Sequence, residues 1–420
     1  MPEKKLKIAF FHFGFFYEGG GERLLLEQMR GLEQRGHKVV CFTPIYEPKV
    51  CYPDWIGQFK IRTLVPQWLT WFPDGLIIQM LTSSWLIIFQ FWRFFKFDVL
   101  VGIGQPGAWM AFCLSRILGK PYLVWMNQPT RFLYPRKIDH KEGLRISDKK
   151  SLSTTIINIL KPLISYLDKI SVSRADVLMC NSRIIARWLS RIYKRKVVQN
   201  YPGANLGFPK KDFTWQDYKK RLKGESRVKT KIIKKPFLLV SNRHFPQKRF
   251  EYAIGIMPFL IDKIPGLNLV ITGGENNYTK SLKTLVYQLG LRQRVVFTGS
   301  VAEKELSRLY QQTVVYLYTA PQEDFGMGIV EAMAHGIPVV AWENAGPGEI
   351  VINGQTGFLI KPYDLVDFGK KALELLTNKK LNKKMGQAGF SRVEEKFTWK
   401  RHIDMLELKI NRCKEKCSLS

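Results

Sequence analysis

Two glutamates in the C-terminal half of this sequence are well suited to hold a phosphorylated ligand that is rich in hydroxyl groups. Glu323 and Glu331 flank a turn containing Gly326 and Gly328, and this turn is predicted to open a helix. The start of a helix presents backbone N–H groups to a phosphate, and glycine lets a ligand approach the backbone closely. Two carboxylates at this spacing accept hydrogen bonds from sugar and ribose hydroxyls. The alternative is that both are ordinary exposed acids near a helix start.

Apolar runs and helical segments alternate along the chain, as in α/β domains. The run over 7–13 is continuous and is followed by Gly14, as expected of a buried parallel strand. A turn of three glycines at 19–21 and a helix over 22–34 lead to a strand over 38–42, which completes a βαβ unit. Further strands are predicted at 97–102, 122–126, 175–180, 237–240, 267–271, 295–297, 314–318 and 339–341.

The predicted elements fall into two groups along the chain. A length of 420 residues suits two domains better than one. We therefore expect an α/β fold of two Rossmann-like domains with a cleft between them. The N-terminal domain is expected over 1–205 and the C-terminal domain over 236–395, with a lysine-rich linker or insertion over 206–235. Residues 396–420 contain a last helix, predicted to pack back toward the N-terminal domain.

The charge of the chain is strongly positive. Lys and Arg number 66 against 35 Asp and Glu, a formal net charge of +31. Such a chain is attracted to polyanions: nucleic acid, an anionic membrane surface or phosphate-bearing small molecules. It contains no motif typical of a nucleic-acid-binding protein, so we expect no nucleic-acid partner and favour anionic lipid and phosphates. The alternative is a merely solvated basic surface.

Two features bear on the compartment. Six cysteines are scattered without metal-ligand spacing, which predicts free thiols in a reducing, cytoplasmic environment. Residues 76–92 carry no charge and approach the length of a membrane span, but polar side chains interrupt them. A buried or half-buried helix is favoured there. The alternatives are a membrane-dipping amphipathic helix, followed by the basic Arg93 and Lys96, and a true span.

The segment over 321–358 resembles the signature of glycosyltransferase family 4, whose members adopt the two-domain GT-B fold. Two other stretches are similar to family motifs and occur in the same order: 241–248, with Arg243 and Lys248, and 295–299, which ends at Gly299. The resemblance covers most of the chain. It implies a glycosyltransferase that uses a nucleotide sugar as donor.

The resemblance implies a role for each charged residue of the C-terminal half. Arg243 and Lys248 grip the donor diphosphate, where two fixed cations stabilise the departing nucleoside diphosphate. Without the resemblance, both are ordinary surface charges. Glu323 orients the sugar hydroxyls beside the anomeric carbon, and Glu331 binds the ribose. Glu323, Arg243 and Lys248 are thus the predicted catalytic residues. The other donor-binding positions implied are Gly299, Phe325, Gly326, Met327, Gly20 and Gly21.

The acceptor side is predicted in the N-terminal half. The run over 127–134 resembles an H-x-P-x-R segment of mannosyltransferase-like members, with Asn127 in the place of the histidine and Arg131 in that of the arginine. Either Asn127 acts by hydrogen bonding alone, or the sugar or the acceptor differs from that of those members. Arg131 is a candidate to meet an acceptor phosphate. His12 is another candidate, although a lone histidine at a strand end is more often structural.

The predicted activity is retaining transfer of a hexose, with mannose favoured, from GDP-mannose or a UDP-sugar to a lipid-linked saccharide or polysaccharide precursor. The resemblance implies no metal and no cofactor, and it places the enzyme peripherally on the cytoplasmic face of a membrane. One alternative is transfer of glucose, GlcNAc or galactose from a UDP-sugar to another acceptor. A second is a non-catalytic family member that serves as a binding subunit. A third, an NAD-dependent dehydrogenase, lacks a clean G-x-G-x-x-G.

Overall fold

The structure, a computed structural model, describes residues 5–66, 82–136, 152–207, 225–228 and 231–418. Two compact units divide the chain. The N-terminal unit comprises Met1–Pro202 together with Trp399–Ser420, and the C-terminal unit comprises Gly203–Thr398.

The N-terminal unit is an α/β domain. Its strands are β1 (Lys7–His12), β2 (Gly14–Phe15), β3 (Lys38–Thr43), β4 (Ile45–Tyr46), β5 (Ile61–Thr63), β6 (Val99–Ile103), β7 (Tyr122–Met126), β8 (Val177–Cys180) and β9 (Val198–Gln199). Its helices before the chain crosses to the other unit are α1 (Gly20–Gln34), α2 (Gly104–Leu118), α3 (Leu152–Ser173) and α4 (Arg183–Tyr193).

Seven of these strands form one parallel sheet in the order β5-β3-β1-β6-β7-β8-β9, and β2 pairs with β4 beside it. In β1 every side chain after Lys7 is buried, as expected of an inner strand covered on both faces. The chain adds strands outward from β1 on one side, then returns to place β6 on the other. The order of a Rossmann fold therefore reverses between β1 and β6, and the ends of these strands make a natural ligand site.

The C-terminal unit repeats the same plan. Its strands are β10 (Glu225–Val228), β11 (Lys231–Lys234), β12 (Phe237–Ser241), β13 (Asn268–Thr272), β14 (Val295–Gly299), β15 (Val315–Tyr318), β16 (Val339–Trp342) and β17 (Gly357–Ile360). Its helices are α5 (Phe250–Gly255), α6 (Met257–Lys263), α7 (Asn277–Gln288), α8 (Glu303–Gln312), α9 (Met327–Ala334), α10 (Gly346–Ile350), α11 (Leu365–Thr377) and α12 (Lys379–Lys396).

Six parallel strands make the main sheet of the C-terminal unit, in the order β14-β13-β12-β15-β16-β17. The strand order reverses between β12 and β15, which pair directly. Both strands are almost entirely buried. Their carboxyl ends lie side by side, so the loops that follow them share one edge of the sheet. The fold class predicted from sequence, two Rossmann-like α/β domains, is confirmed.

The last helix, α13 (Trp399–Ser418), belongs to the N-terminal unit. Its apolar face joins the core of that unit through Ile403, Leu406 and Ile410. An ion pair links Arg35, just after α1, to Glu407, and the Nε2 atom of His37 lies 2.7 Å from the same carboxylate. Apolar contact and buried charge pairing together fix α13 on α1.

Two segments were predicted only in outline from the sequence. Within 206–235, interpreted as a linker or insertion, β10 and β11 form an antiparallel hairpin whose Val228 and Ile233 are buried. Lysines surround these two apolar positions in the sequence, so composition alone did not predict the hairpin. Of the uncharged stretch 76–92, residues 76–81 lie outside the described residues. The described part begins with a helix over 82–86 and continues in a 3₁₀ helix, Ile88–Phe94. None of the described helices is long and apolar enough to cross a membrane.

Candidate functional site

The C-terminal unit presents its predicted site residues where the strand order reverses. Arg243 and Lys248 lie in the loop after β12, with Lys248 closing a 3₁₀ turn over Pro246–Lys248. Glu323 lies in the loop after β15, and Glu331 lies in α9, which follows that loop. We call these four residues the switch-point site.

Lys248 and Glu323 are in direct contact. The Lys248 ammonium forms an ion pair with Oε2 of Glu323, and both side chains are 18% exposed. The Tyr318 hydroxyl donates a hydrogen bond of 2.7 Å to the same oxygen. Burial, with the charge of Glu323, holds the pKa of Tyr318 well above its ordinary value, so this hydroxyl stays a donor. The carboxylate is therefore held by a cation and a neutral donor together.

Glu331 is held by a second tyrosine. The Tyr310 hydroxyl donates to its Oε2 atom at 2.9 Å. The rings of Tyr310 and Tyr316 are 5.6 Å apart, and those of Tyr316 and Tyr318 are 6.3 Å apart. Three buried tyrosines thus connect the two carboxylates of the site.

Sequence reasoning missed these tyrosines, although two of them stood within a predicted strand. Tyr316 and Tyr318 are two residues apart, so they face the same side of β15. Aromatic residues in a strand ordinarily indicate core packing. The available signal was the spacing of these two tyrosines, which face one side of a buried strand shortly before Glu323. A buried tyrosine hydroxyl requires a hydrogen-bond partner, and a nearby carboxylate can serve as one.

Glycines bring the loops of the site close together. A Cβ on Gly328 would stand 2.3 Å from the Tyr316 hydroxyl oxygen. The space at Gly328 is thus taken by Tyr316, whereas the sequence had suggested close approach of a ligand there. Gly326 precedes α9 with φ of 106°, a conformation that favours glycine. The N–H of Gly346 donates to the Glu323 carbonyl at 2.8 Å, which fixes the backbone under the carboxylate.

Phe325, a predicted donor-binding residue, packs within the C-terminal unit. It is buried, with its ring 6.1 Å from that of Phe397. The donor contact expected of Phe325 is through its backbone amide, and it stays a prediction. Met327 is the first residue of α9, where backbone N–H groups have no partner within the helix.

Arg243 stands at the end of β12 beside an exposed aromatic ring. Its guanidinium carbon lies 5.1 Å from the centroid of the Phe245 ring, a cation–π arrangement. The loop beneath it is anchored because Thr319 donates its hydroxyl to the Lys248 carbonyl at 2.9 Å. The structure thus brings Lys248 against Glu323 and stacks Arg243 on a neighbouring ring at the same strand end.

Gly299 ends β14 with φ of 69°. Its carbonyl accepts a hydrogen bond of 3.1 Å from the N–H of Gly273. A Cβ on Gly273 would stand only 1.8 Å from the carbonyl oxygen of Asn242, so β13 approaches the loop of Arg243 only because this residue is glycine. Sequence reasoning overlooked Gly273; its signal was a Gly-Gly pair directly after a predicted strand.

The N-terminal unit gathers its candidates at the ends of β1 and β7. His12 and Glu22 are both buried, and Nε2 of His12 lies 3.7 Å from Oε1 of Glu22. Gly20 and Gly21 open α1, which carries Glu22 in its first turn. Glu22 directly follows the turn of three glycines in the sequence but was not predicted as a site residue. Its burial beside His12 identifies it as one of the polar groups of this edge.

Asn127 lies against the glycine turn. Its Nδ2 atom is 3.2 Å from the position that a Cβ on Gly21 would take, and its Oδ1 accepts a hydrogen bond of 2.9 Å from Trp125. Arg131 donates through Nε to Gln128 at 2.5 Å. Asn127 is therefore a fixed amide beside the helix start, while Arg131 belongs to the loop that continues from it.

The described residues are 5–66, 82–136, 152–207, 225–228 and 231–418. No cluster of three or more His, Cys, Asp or Glu side chains suited to a metal ion occurs among these residues. The described cysteine side chains, Cys41, Cys51, Cys113, Cys180 and Cys413, are buried and not joined in disulfides.

Two Rossmann-order units, one of which gathers cations and carboxylates where its strand order reverses, define a two-domain glycosyltransferase of the GT-B class. Residues 18–208 match the family described as Glycosyltransferase Family 4, and residues 223–392 match Glycosyl transferases group 1. Together the two matches take in most of the chain, which belongs to the glycosyltransferases built from these two domains. The family and the enzyme class predicted from sequence are confirmed.

Individual relatives agree with this assignment. The chain is 26% identical over 413 residues to the alpha-1,3/1,6-mannosyltransferase ALG2 of Mus musculus, with 92% of each chain covered. It is 26% identical over 433 residues to that of Dictyostelium discoideum, covering 95% of this chain and 96% of the relative. Anabaena Alr3699/HepE, solved with UDP and glucose, matches with a TM-score of 0.72 at 17% identity, over 97% of this chain and 100% of that one. At this identity the likeness shows the fold alone.

Proposed function

We propose that this enzyme transfers mannose from a nucleotide sugar, GDP-mannose in the first instance, to a lipid-linked oligosaccharide with retention of the anomeric configuration. The observation that carries the proposal is the Lys248–Glu323 ion pair with its Tyr318 donor at the switch point of the C-terminal unit. The mannosyltransferase relatives, which match nearly the whole chain, support the choice of sugar and acceptor.

The ion pair explains how one site handles both halves of a sugar nucleotide. The Lys248 ammonium is a point charge for the diphosphate, while Glu323 offers acceptor oxygens to sugar hydroxyls. Because the two groups touch, they are held in place before the donor arrives, and little reorganisation is needed on binding. Arg243 adds a second cation at the same strand end, and Glu331 in α9 takes the ribose hydroxyls.

The reaction follows from this arrangement. The acceptor hydroxyl oxygen forms a bond to the anomeric carbon while the bond from that carbon to the diphosphate oxygen breaks. The departing diphosphate takes the proton of the acceptor, and attack on the face it leaves retains the configuration. Lys248 and Arg243 stabilise the negative charge that grows on the diphosphate. No protein nucleophile is required.

The acceptor side lies in the N-terminal unit. Asn127 is fixed by Trp125 next to Gly21, at the start of α1. Its Nδ2 group is available in type and position to hydrogen-bond a hydroxyl of sugar or acceptor. Arg131, four residues further, supplies a cation for an acceptor phosphate.

We also propose that the enzyme works at the cytoplasmic face of a membrane, where a lipid-linked acceptor is found. The net charge of +31 supports attraction to an anionic surface. The buried cysteines without disulfides support a reducing compartment.

The test has two steps. A thermal-shift screen of GDP, UDP and ADP and of their sugars identifies the donor, because a bound ligand raises the melting temperature of the folded state. The selected donor is then incubated with a lipid-linked oligosaccharide, and the anomeric configuration of the product is read by NMR. We expect GDP and GDP-mannose to give the largest shift and an α-mannoside to form. A response to UDP alone, or an inverted linkage, would contradict the proposal.

A further inference from the structure

Four large apolar side chains stand exposed at a spacing of three residues in the N-terminal unit. They are Leu86, Phe89, Trp92 and Phe95, exposed by 42%, 68%, 60% and 60%, and we call them the exposed stripe. Phe89 and Trp92 belong to the 3₁₀ helix Ile88–Phe94, and Phe95 caps it with helical dihedral angles. A 3₁₀ helix has three residues per turn, so side chains three apart lie above one another. Phe89, Trp92 and Phe95 therefore form one continuous apolar ridge, and Leu86 stands exposed just before it.

The other side of the same segment is anchored in the core. Ile87 and Phe94 have no exposed surface. The Phe94 ring lies 4.8 Å from that of Phe42 and 5.5 Å from that of Phe11, on strands β3 and β1. The segment cannot turn its ridge inward without removing Phe94 from this cluster. Outward presentation of the stripe is thus fixed by packing.

Two lysines lie at the C-terminal end of the stripe. Lys96 follows it directly and is exposed, with its ammonium 5.6 Å from the Phe97 ring centroid. Lys120 donates to the Phe95 carbonyl at 2.7 Å, which holds a cation at the end of the ridge. Arg93 lies within the 3₁₀ helix, but its guanidinium carbon is 5.9 Å from the centroid of the buried Phe42 ring, so it is not counted with these lysines. An apolar ridge with lysines at its end matches the profile of an anionic bilayer, where lipid tails lie below negative headgroups.

We propose that the exposed stripe is a membrane-docking surface, which inserts into the headgroup region of a bilayer containing anionic lipid. Trp and Phe favour that depth because they are bulky and apolar, and Trp carries one polar edge. A protein partner fits less well, because protein interfaces are depleted of lysine whereas lysines lie at the end of this ridge. The inference goes beyond the proposed function in naming the surface and its ligand, and its test requires no transfer reaction.

The test measures binding of the full chain to sedimenting vesicles, made of phosphatidylcholine alone or with added phosphatidylglycerol. The wild type should bind the mixed vesicles and bind them less as salt is added. The double variant Phe89→Ser/Trp92→Ser should lower the partition coefficient between vesicles and water by about tenfold or more, because two apolar side chains that insert into the bilayer are lost. Lys96→Gln should weaken binding only to the vesicles that contain phosphatidylglycerol.

A matched control is Tyr287→Ser, since Tyr287 is an aromatic residue exposed by 59% in the C-terminal unit. It should bind vesicles as the wild type does. Equal melting temperatures of all variants show that the fold is kept, and Phe95→Ser serves if the double variant unfolds. Vesicle binding by the double variant equal to wild type overturns the proposal. So does a wild type that sediments with neither vesicle, or a dimer that only the stripe variants dissociate.

The failure of this proposal and that of the proposed function are distinguishable. With a short water-soluble acceptor, the double variant should transfer sugar as fast as the wild type, because no residue of the stripe belongs to the switch-point site. A chain that binds vesicles but transfers no sugar refutes the proposed function and leaves the docking surface standing. A chain that transfers sugar but ignores vesicles refutes the docking surface alone.

Discussion

The Tyr318 hydroxyl donates a hydrogen bond of 2.7 Å to Glu323, and the same carboxylate forms an ion pair with Lys248. The hydroxyl is buried and its pKa is raised, so it neither ionises nor exchanges its role at neutral pH. Tyr318 is therefore a positioning residue: it orients Glu323, which is proposed to contact the sugar.

Replacing Tyr318 by Phe tests this relationship. The variant removes one hydrogen bond to a charged group, and we expect kcat/KM to fall by roughly tenfold, equivalent to about 1.5 kcal/mol. The loss should be in kcat more than in KM, because the orientation of Glu323 matters most as the anomeric centre reacts. Steady-state kinetics measure it, with the exposed Tyr287→Phe as control. Unchanged kcat in Tyr318→Phe would remove Tyr318 from the account.

Glu323→Gln keeps the size of the side chain and removes its charge. We expect transfer to fall by about a hundredfold or more, because a charged acceptor aimed at the reacting sugar is lost. The melting temperature should change little. The control is Glu395→Gln, which breaks an exposed carboxylate–lysine pair with Lys396 and should leave turnover intact. Near-normal turnover in Glu323→Gln would show that this carboxylate is not part of the reaction.

Gly328 and Gly348 form a matched pair. An added Cβ would stand 2.3 Å from the Tyr316 hydroxyl at Gly328, whereas nothing lies within 4 Å at Gly348. We expect Gly328→Ala to destabilise the fold by about 1–3 kcal/mol, because Tyr316 must move. Gly348→Ala should be neutral or slightly stabilising, since alanine suits a helix better than glycine. Chemical unfolding compares them; equal stabilities would show that Tyr316 is not confined as described.

Stability should fall as the pH is lowered from 7 to 5. Burial lowers the pKa of His244 and His402 from an ordinary 6.5 to about 4. Between these values the unfolded chain binds protons that the folded chain does not, so the stabilisation present above pH 6.5 is lost toward pH 4. Melting temperatures at both pH values measure the effect. His244→Asn should show a smaller drop than the wild type, and an equal drop would exclude His244 as a contributor.

The elements that position the switch-point site were predictable from sequence. The strands ending near Ser241 and Tyr318 are continuous apolar runs, and such runs mark buried parallel strands whatever their partners. The edge strand β9 has only two residues, which is too few for a pattern to form. The hairpin β10–β11 was missed because lysines dominate its composition.

The contacts within the site depended on tertiary structure. Glu323 and Lys248 lie 75 positions apart, and only the pairing of β12 with β15 brings their loops together. The roles of the tyrosines follow from that pairing and from the side of β15 on which Tyr316 and Tyr318 stand. A sequence motif identifies the charged residues of a site. The neutral hydrogen-bond donors that orient them, here the tyrosines, can be identified only once the strand order is known.

The central claim is that Arg243 and Lys248 hold the nucleoside diphosphate, and calorimetric titration with GDP tests it most directly. The wild type should bind GDP, and Arg243→Ala/Lys248→Ala should bind it at least about a hundredfold more weakly, since two charge-assisted contacts are lost. Lys263→Ala, which removes an exposed lysine paired with Asp262 at 2.8 Å, should bind as the wild type does. Equal affinity of the wild type and the double variant would contradict the account.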